Sequence, residues 1–303
     1  MPYPVVRVWP TWKTGVEQLG SKPKFWYSNN GEWLFKHART GTGEDWSEKV
    51  ASEIARLLWV PCAQVELAEY EGRPGSASRN FVNAAGGETL WHGNDVLAGL
   101  VAGYDSDKQQ HQSEHTLKNI IAALNRLFEQ ERAEAMFTQL AGYIVLDALI
   151  GNTDRHHENW GLIVRPILTP GSVYRPSQPV PAKFELIAAP SFDHASSLGR
   201  ELTDERRELW LKQGIGSYAN RGRGGIYIDE NDRRGANPLH LLRFAMKVLP
   251  KQYFAPILQR VRELDSGSVQ HILQEVPQNR ISTIARRFAS EFMAYTSSEL
   301  VKL

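Results

Sequence analysis

The hydrophobic pattern of this chain changes period once, near residue 115, and that change limits the folds open to it. Before it, apolar residues come in short aromatic-rich runs. PKFWYSN and EWLFKHA flank Asn29-Asn30-Gly31, residues that accept the backbone of a tight turn, so the pair reads as a β-hairpin. AQVELAEYEGRPGSASRNFV reads as two further extended runs about an Arg-Pro-Gly turn. One helix interrupts them: Val50, Ala51, Ile54, Ala55 and Leu58 recur at helical spacing, and Pro61 closes the segment. From Thr116 the pattern is helical, in TLKNIIAALNRLF, in AEAMFTQLAGYIVLDALIG and again through the C-terminal stretch. Two apolar runs, WGLIV and FELIAA, stand apart from it, separated by the Pro- and Ser-rich RPILTPGSVYRPSQPVPA. Strands followed by helices segregate into an α+β, bilobal molecule. The expected lobes are a small β-rich one over residues 1–115 and a larger helical one over 116–303.

Where the apolar run YIVLDALI ends, GNTDRHHENWGLI crowds an aspartate, an arginine, two histidines, a glutamate and an asparagine into positions 154–159. A solvated loop, a zinc site and a phosphoryl-transfer loop would each place such groups there. Phosphoryl transfer needs a cation on the phosphates, oxygen ligands for Mg²⁺ and a carboxylate near the attacking hydroxyl. Mg²⁺ takes hard oxygen donors, so aspartate and asparagine suit it and histidine does not. Asp154 meets the need for the carboxylate and Asn159 for an amide oxygen on the metal. A second metal carboxylate is expected after a later strand, and Asp193 follows FELIAAPSF in that position. Lys36 lies mid-strand in WLFKHA, on the same face as Leu34 by alternation. An inward-facing lysine is costly unless paired, and the helix after it offers Glu48 and Glu53.

Bulk composition excludes several rivals. The 303 residues carry 35 Lys plus Arg against 34 Asp plus Glu, a balance that gives no hint of nucleic acid or an anionic membrane as partner. The single cysteine, Cys62, removes an internal disulfide and a Cys-rich zinc site. Neighbouring histidines diverge in an extended segment, and no HxxxH pair supports His156 and His157 as metal ligands. MPYPVVRVWPTW lacks the unbroken apolar stretch of a signal peptide. YIVLDALI is too short for a membrane span and is interrupted by Asp147. These features predict a protein of a reducing, cytoplasmic compartment.

NTDRHHENWGL resembles the D-R-H-x-x-N catalytic loop of HipA-like serine/threonine protein kinases, a loop also found in phosphatidylinositol kinases. The order of a strand lysine, the helix EKVASEIA, the hinge-like SASRNFV, the loop and a metal aspartate is similar to the HipA-like pattern over roughly residues 20–200. The resemblance implies a protein-kinase-like fold and an enzyme that uses ATP and Mg²⁺. It implies that Lys36 holds the α- and β-phosphates and pairs with Glu48, which fits the family helix pattern better than Glu53. It further implies Asp154 as catalytic base, Asn159 and Asp193 as Mg²⁺ ligands, and backbone near Asn80 and Phe81 against the adenine. LGSKPKF would be the flexible phosphate loop, with Ser21 as a candidate for autophosphorylation. The family's familiar members are toxins that phosphorylate an aminoacyl-tRNA synthetase and are restrained by an antitoxin. The implied partners are therefore a protein substrate of that kind or another translation factor and an antitoxin, with neither nucleic acid nor membrane bound directly.

The chain departs from the family in three places. Familiar members carry an N-terminal subdomain before the phosphate loop, whereas about twenty residues precede Gly20 here. Thirty-four positions separate Asn159 from Asp193, and Phe192-Asp193-His194 stands where those members read a Y-D-V type motif. Plainer readings run beside the sharp ones. Asp154-Arg155-His156 reads equally as a helix C-terminal loop with a solvated salt bridge, Lys36 as a surface lysine, and Glu48 as a first-turn acid favoured by the helix dipole. His156 is expected to pack beneath the loop as a structural hydrogen-bonder. GVEQLGSK imitates a P-loop with its last two residues swapped and no βαβ context, and ANRGRGGIYI reads as a mobile loop, with a phosphate- or RNA-binding segment and an activation- or substrate-loop role as its sharper alternatives. The competing functions are a kinase of a lipid or small-molecule alcohol, and a nucleotide-binding pseudokinase that serves as an interaction module.

Overall fold

A computed structural model describes residues 1–17, 23–108, 111–167 and 183–303. The N-terminal part consists of β1 (Val5–Val8), β2 (Lys13–Glu17), β3 (Lys24–Ser28), β4 (Glu32–His37), α1 (Glu44–Leu57), β5 (Val65–Tyr70) and β6 (Arg73–Arg79). Its strands form one six-stranded sheet in the order β1-β5-β6-β4-β3-β2, antiparallel throughout except for the β1–β5 pair. In the β3–β4 hairpin Phe25 faces Phe35 and Lys24 faces Lys36. Alternation then sorts the side chains: Phe25, Tyr27 and Phe35 sink into a small core with Val8, Ala68 and Ala77, while Lys24, Trp26, Leu34 and Lys36 line a cleft on the opposite face. Asn30 and Gly31 carry the positive φ angles, 49° and 122°, that make the predicted turn. The next turn is displaced from its expected place. Glu71 and Gly72 hold φ of 51° and 73°, and Arg73, Pro74 and Gly75 already belong to β6. A two-residue loop matched to strand twist needs two positive-φ residues, which proline cannot supply.

Helix α1 is no surface helix, for eleven of its fourteen residues are buried. It packs on β5 and β6 from one side and on α9 (Ser266–Glu275) from the other. Arg280 clamps its first turn, with Nη1 2.7 Å from Asp45 Oδ2 and Nη2 donating to the Ala68 carbonyl at 3.0 Å.

The rest of the chain supplies β7 (Thr89–His92), α2 (Gly93–Ala98), α3 (Leu117–Leu127), α4 (Gln130–Ile150), β8 (Gly161–Pro166), β9 (Phe184–Ala188), α5 (Asp204–Gln213), α6 (Ile215–Ala219), α7 (Pro238–Val248), α8 (Ala255–Arg262) and α10 (Thr283–Val301). WGLIV and FELIAA are the antiparallel strands β8 and β9, and β7 completes their three-stranded sheet. Helix α4 is the axis of the helical part, packed against α3, α7, α8, α10 and β9. Every residue from Ala141 to Ile150 is buried, so its apolar side chains run all round rather than in one stripe. Among the described residues it is the one helix long and apolar enough to cross a membrane, longer than the run YIVLDALI suggested, and most of it is enclosed by protein.

Gly151 ends α4 in the left-handed region, at φ 67°, and opens the GNTDRHHENWGLI segment. A Cβ there would stand 2.4 Å from the Phe292 ring, while Thr296 on the same helix as Phe292 donates to the Leu149 carbonyl at 2.6 Å. Gly151→Ala is expected to cost about 2–4 kcal/mol, from left-handed strain plus overpacking. Urea unfolding checks this; an unchanged midpoint would show that α10 can withdraw from the turn.

Candidate active site

The segment after α4 is organised by Arg155, which is 4% exposed. Its guanidinium grips Asp147, one α-helical turn before the end of α4, through Nε–Oδ2 at 2.8 Å and Nη2–Oδ1 at 2.7 Å. The same group donates to the carbonyls of Asn159 (2.6 Å) and Phe192 (3.1 Å) and to Ser191 Oγ (2.9 Å). The Asp154-Arg155-His156 ion pair read as solvated is thus buried, and its acid is Asp147. Removing charges from water is expensive, and geometry of this quality with every donor placed is what offsets it. Asn152 completes the knot, donating from Nδ2 to Asp147 and accepting from the Asp154 N–H at 3.1 Å.

Around this knot the sequence-expected residues converge on one cleft of about 380 Å³ between the six-stranded sheet and the loop. Lys36, Asn80, Phe81, Asp154, Asn159 and Asp193 all line it. Asp154 stands half-exposed at its edge. Asn159 Nδ2 donates to the Asp154 carbonyl at 2.7 Å, which leaves the amide oxygen as the end available to a cation. Lys36 Nζ lies 3.1 Å from Asp193 Oδ2 and 3.5 Å from Glu48 Oε1. Burial alone would push the lysine toward neutrality; the Asp193 and Glu48 carboxylates outweigh it, and the net pKa is raised. Glu48 is held in turn by Ser76 Oγ at 2.9 Å, from the β6 residue opposite Lys36 in the sheet register. Glu53 sits elsewhere, paired with Lys49 at 2.8 Å. Asn80 bonds Glu32 and caps the Val82 N–H, and Phe81 packs on Phe192 with ring centroids 5.6 Å apart. Ser21 and the residues from Gly20 to Lys22 lie outside the described residues.

The donor set fits Mg²⁺. Asp193 and Asn159 offer hard oxygens, and such a site ordinarily takes its remaining ligands from phosphate and water. Among the described residues no cluster of three or more His, Cys, Asp and Glu side chains is gathered to hold a softer metal.

Sequence reasoning missed a second connection. Arg200 reaches Glu44 in the first turn of α1 at 2.5 Å and Ser196 Oγ at 3.0 Å, and Ser196 Oγ donates to Asp154 Oδ2 at 3.3 Å. Gly43 N–H also donates to the Arg200 carbonyl, and Ser47 Oγ to that of Ser197. The segment after Asp193 therefore ties α1 to Asp154. The only sequence signal was the S-S-L-G-R run itself, which names no partner.

The sequence profile of the HipA-like C-terminal domain matches residues 16–264. The chain belongs to the HipA-like family. Among solved structures this HipA-like chain is similar to the Helicobacter pylori proinflammatory kinase CtkA at 20% identity and a TM-score of 0.73, over 99% of this chain and 96% of that one. It is also similar to HipA of Shewanella oneidensis MR-1, solved with HipB and operator DNA, at 14% identity and a TM-score of 0.56, over 97% of this chain and 66% of that one. No curated protein matches the chain in sequence. Identities this low speak to fold, and the α+β, kinase-type fold expected from the sequence is the one observed.

The histidines of the HipA-like loop are placed differently from expectation. His156 is half-exposed and lines the cleft, accepting at Nδ1 from the Glu158 N–H. His157 is the one that packs beneath, its Nδ1 2.8 Å from the Tyr104 hydroxyl. Alongside it His115 donates from Nδ1 to the Gly225 carbonyl and accepts from Trp160 Nε1 at 3.0 Å, and burial lowers its pKa to about 3. Ser191 Oγ, which accepts from Arg155, also bonds His194 Nε2 at 2.7 Å, and burial keeps His194 neutral.

Replacing Asp147 by Ala is expected to destabilise the fold by about 3–5 kcal/mol, because Arg155 is left buried without its counter-charge. In the double variant Asp147→Leu/Arg155→Met much of that loss should return. A double variant no more stable than the single one in urea unfolding would show that the hydrogen bonds, not the charge, carry the cost.

Neutral buried histidines also set a pH window. Below about pH 6.5 the unfolded chain takes up protons that His115 and His194 refuse in the fold, so stability is full above that pH and declines beneath it. Each should remove about 1.4 kcal/mol per pH unit once well below pH 6.5. Unfolding free energy measured from pH 7 to pH 5 checks this, and His115→Gln should flatten the slope.

Proposed function

We propose that the chain is an ATP- and Mg²⁺-dependent phosphotransferase that phosphorylates a serine or threonine hydroxyl of a protein. The observation that carries the reading is the meeting of Lys36, Asp154, Asn159 and Asp193 around one cleft, with Lys36 ion-paired to Asp193 from the opposite lobe. In this reading Lys36, steadied by Glu48, orients the α- and β-phosphates, and the strand-to-loop segment at Asn80 and Phe81 receives the adenine. Asn159 and Asp193 would hold Mg²⁺, which when bound neutralises charge on the phosphates. Asp154 accepts the proton of the acceptor hydroxyl while Ser196 and the loop knot fix its direction. Ser21 is proposed as a site of autophosphorylation, and residues 1–115 and 116–303 as the two lobes that close on the nucleotide. The likeness to HipA, which was solved with HipB and operator DNA, supports an antitoxin-like protein as regulator; a translation protein such as an aminoacyl-tRNA synthetase is proposed as acceptor from the family resemblance of the catalytic loop alone.

Incubating the purified protein with ATP and Mg²⁺, beside its variants, and reading intact mass tests the proposal. Wild type should gain phosphate, on itself or on an added acceptor. Asp154→Asn should lower transfer by roughly 10²–10⁴-fold with nucleotide binding retained, and Lys36→Ala should lower turnover more than ATP affinity. Asp193→Asn should abolish the Mg²⁺-dependent part of thermal stabilisation by nucleotide. Stabilisation without any transfer would favour the pseudokinase module, and neither signal would sink the kinase reading.

A further inference from the structure

On the other side of Asp154 lies a second concavity, of about 400 Å³, that shares no lining residue with the cleft. Thr153 and Ser196 form its near wall, and Ser196 is the residue that bonds Asp154 Oδ2. Its charged lining is one-sided. Arg200, Arg206, Arg221 and Arg223 face it with Glu201 as the acid among them. Arg200 is taken by Glu44, and the Glu201 carboxylate accepts from the Tyr218 hydroxyl at 2.7 Å. Arg206, Arg221 and Arg223 are exposed, and among the described residues none has a carboxylate within ion-pair distance. Arg221 lies over the Trp210 ring at 4.7 Å, which fixes its guanidinium at the rim.

The arginines at 221 and 223 come from ANRGRGGIYI, and the structure corrects the reading of that stretch as a mobile loop. Its glycines are required by close approach. A Cβ on Gly222 would stand 2.9 Å from Thr153 Cγ2, and one on Gly225 would strike the His156 backbone nitrogen at 2.6 Å. The Gly224 N–H donates to the Ala236 carbonyl at 2.7 Å, and the Ala236 N–H donates to the Ile226 carbonyl. The segment is therefore a rail laid along the Asp154 loop, with two guanidiniums on its outer side.

Resting on the kinase reading, we infer that this pocket is an acceptor subsite that selects a polypeptide segment carrying a carboxylate side chain close to the phosphorylated serine or threonine. A hydroxyl presented to half-exposed Asp154 from outside the cleft brings its chain neighbours against the rail, since an extended chain advances about 3.3 Å per residue. Three arginines without a carboxylate partner, Arg223 further held by its bonds to the Asn220 and Gly222 carbonyls, complement an anion in a concave site and repel a basic segment. The pocket is sized for one or two side chains, and the chain's charge is balanced at 35 against 34, which favours a peptide over a polynucleotide backbone needing cations spaced along a surface.

The test uses the full chain and four probes: heptapeptides with a central serine flanked by glutamates, by alanines or by lysines, and an oligodeoxythymidylate of similar length. Direct binding by calorimetry, which needs no turnover, should favour the glutamate peptide and weaken with added salt. The pair Arg206→Glu/Arg223→Glu should weaken that binding and raise the peptide KM by about tenfold, with the ATP KM, the unfolding midpoint and nucleotide-induced stabilisation unchanged. Restoring Lys at both positions should recover most of the preference. Equal or tighter binding of the lysine peptide, or of the oligonucleotide, would overturn the inference, as would an unaltered preference in the charge-reversed pair. Retained acidic-peptide binding without phosphoryl transfer would uphold the subsite and count against the kinase reading instead.

Discussion

Arg155 and Asp147 meet where no water reaches them, and the positions of both cleft acids are referred to that pair. Asp147 is fixed by a helix whose last ten residues are buried on every side. From it the guanidinium reaches forward to Asn159 and sideways to Ser191 and Phe192, so the loop that carries Asp154 and the strand end that carries Asp193 are measured from one origin. A pair of this kind adds little net stability over a well-packed apolar replacement, because desolvation offsets most of its attraction. What it contributes is direction. Two segments thirty-odd positions apart in sequence are registered to within hydrogen-bond tolerance, and reactions of this class depend on positioning more than on covalent participation.

Two ion pairs join the N-terminal lobe to this frame. Lys36 reaches Asp193, and Glu44 reaches Arg200. Both contacts lie on the stretch that follows β9, so a displacement of α1 alters the Lys36–Glu48 pair and the Ser196–Asp154 bond together. That stretch is also stitched between the lobes by backbone, since Ser191 donates to Pro61 and accepts from Ala63. A helix so placed is a coupling element even though its exposed surface is small.

Much of this was legible in the chain itself, and the reasons for the exceptions are physical. The β3–β4 hairpin followed from alternation and turn chemistry, and α1 from apolar spacing, because both are local rules. Lys36, Asp154, Asn159 and Asp193 were nominated by residue type and order, and the structure gathers them in one cleft. Glu48 rather than Glu53 stands by Lys36, since only Glu48 falls on the face of α1 turned toward β4 and β6. The β5–β6 turn was misplaced by two residues because Pro and Gly are turn formers by frequency, whereas the twist-matched loop needed positive φ at Glu71 and Gly72. His156 and His157 exchanged roles because adjacent residues leave a backbone in opposite directions, and nothing local says which direction is inward. Asp147, Ser196 and Arg200 were invisible as site residues. Their partners lie up to 156 positions away, and a buried polar network is defined by tertiary packing alone.

Asp193 shows how such a network holds a residue where backbone preference would not. Its φ of 58° lies in the left-handed region, where a non-glycine residue costs on the order of 1–2 kcal/mol. Glycine would relieve that strain and lose the carboxylate, so position 193 has to pay in conformation for its chemistry. The neighbours on both sides are pinned: Phe192 by its carbonyl to Arg155 and by its ring to Phe81, His194 by its bond to Ser191. With its backbone held between two fixed residues, the aspartate side chain meets Lys36 at 3.1 Å. The same fixation explains why His194 must stay neutral. Its ring is buried with the Ser191 hydroxyl 2.7 Å from Nε2, and the Arg155 guanidinium lies close by, so a second positive charge there would be both desolvated and repelled.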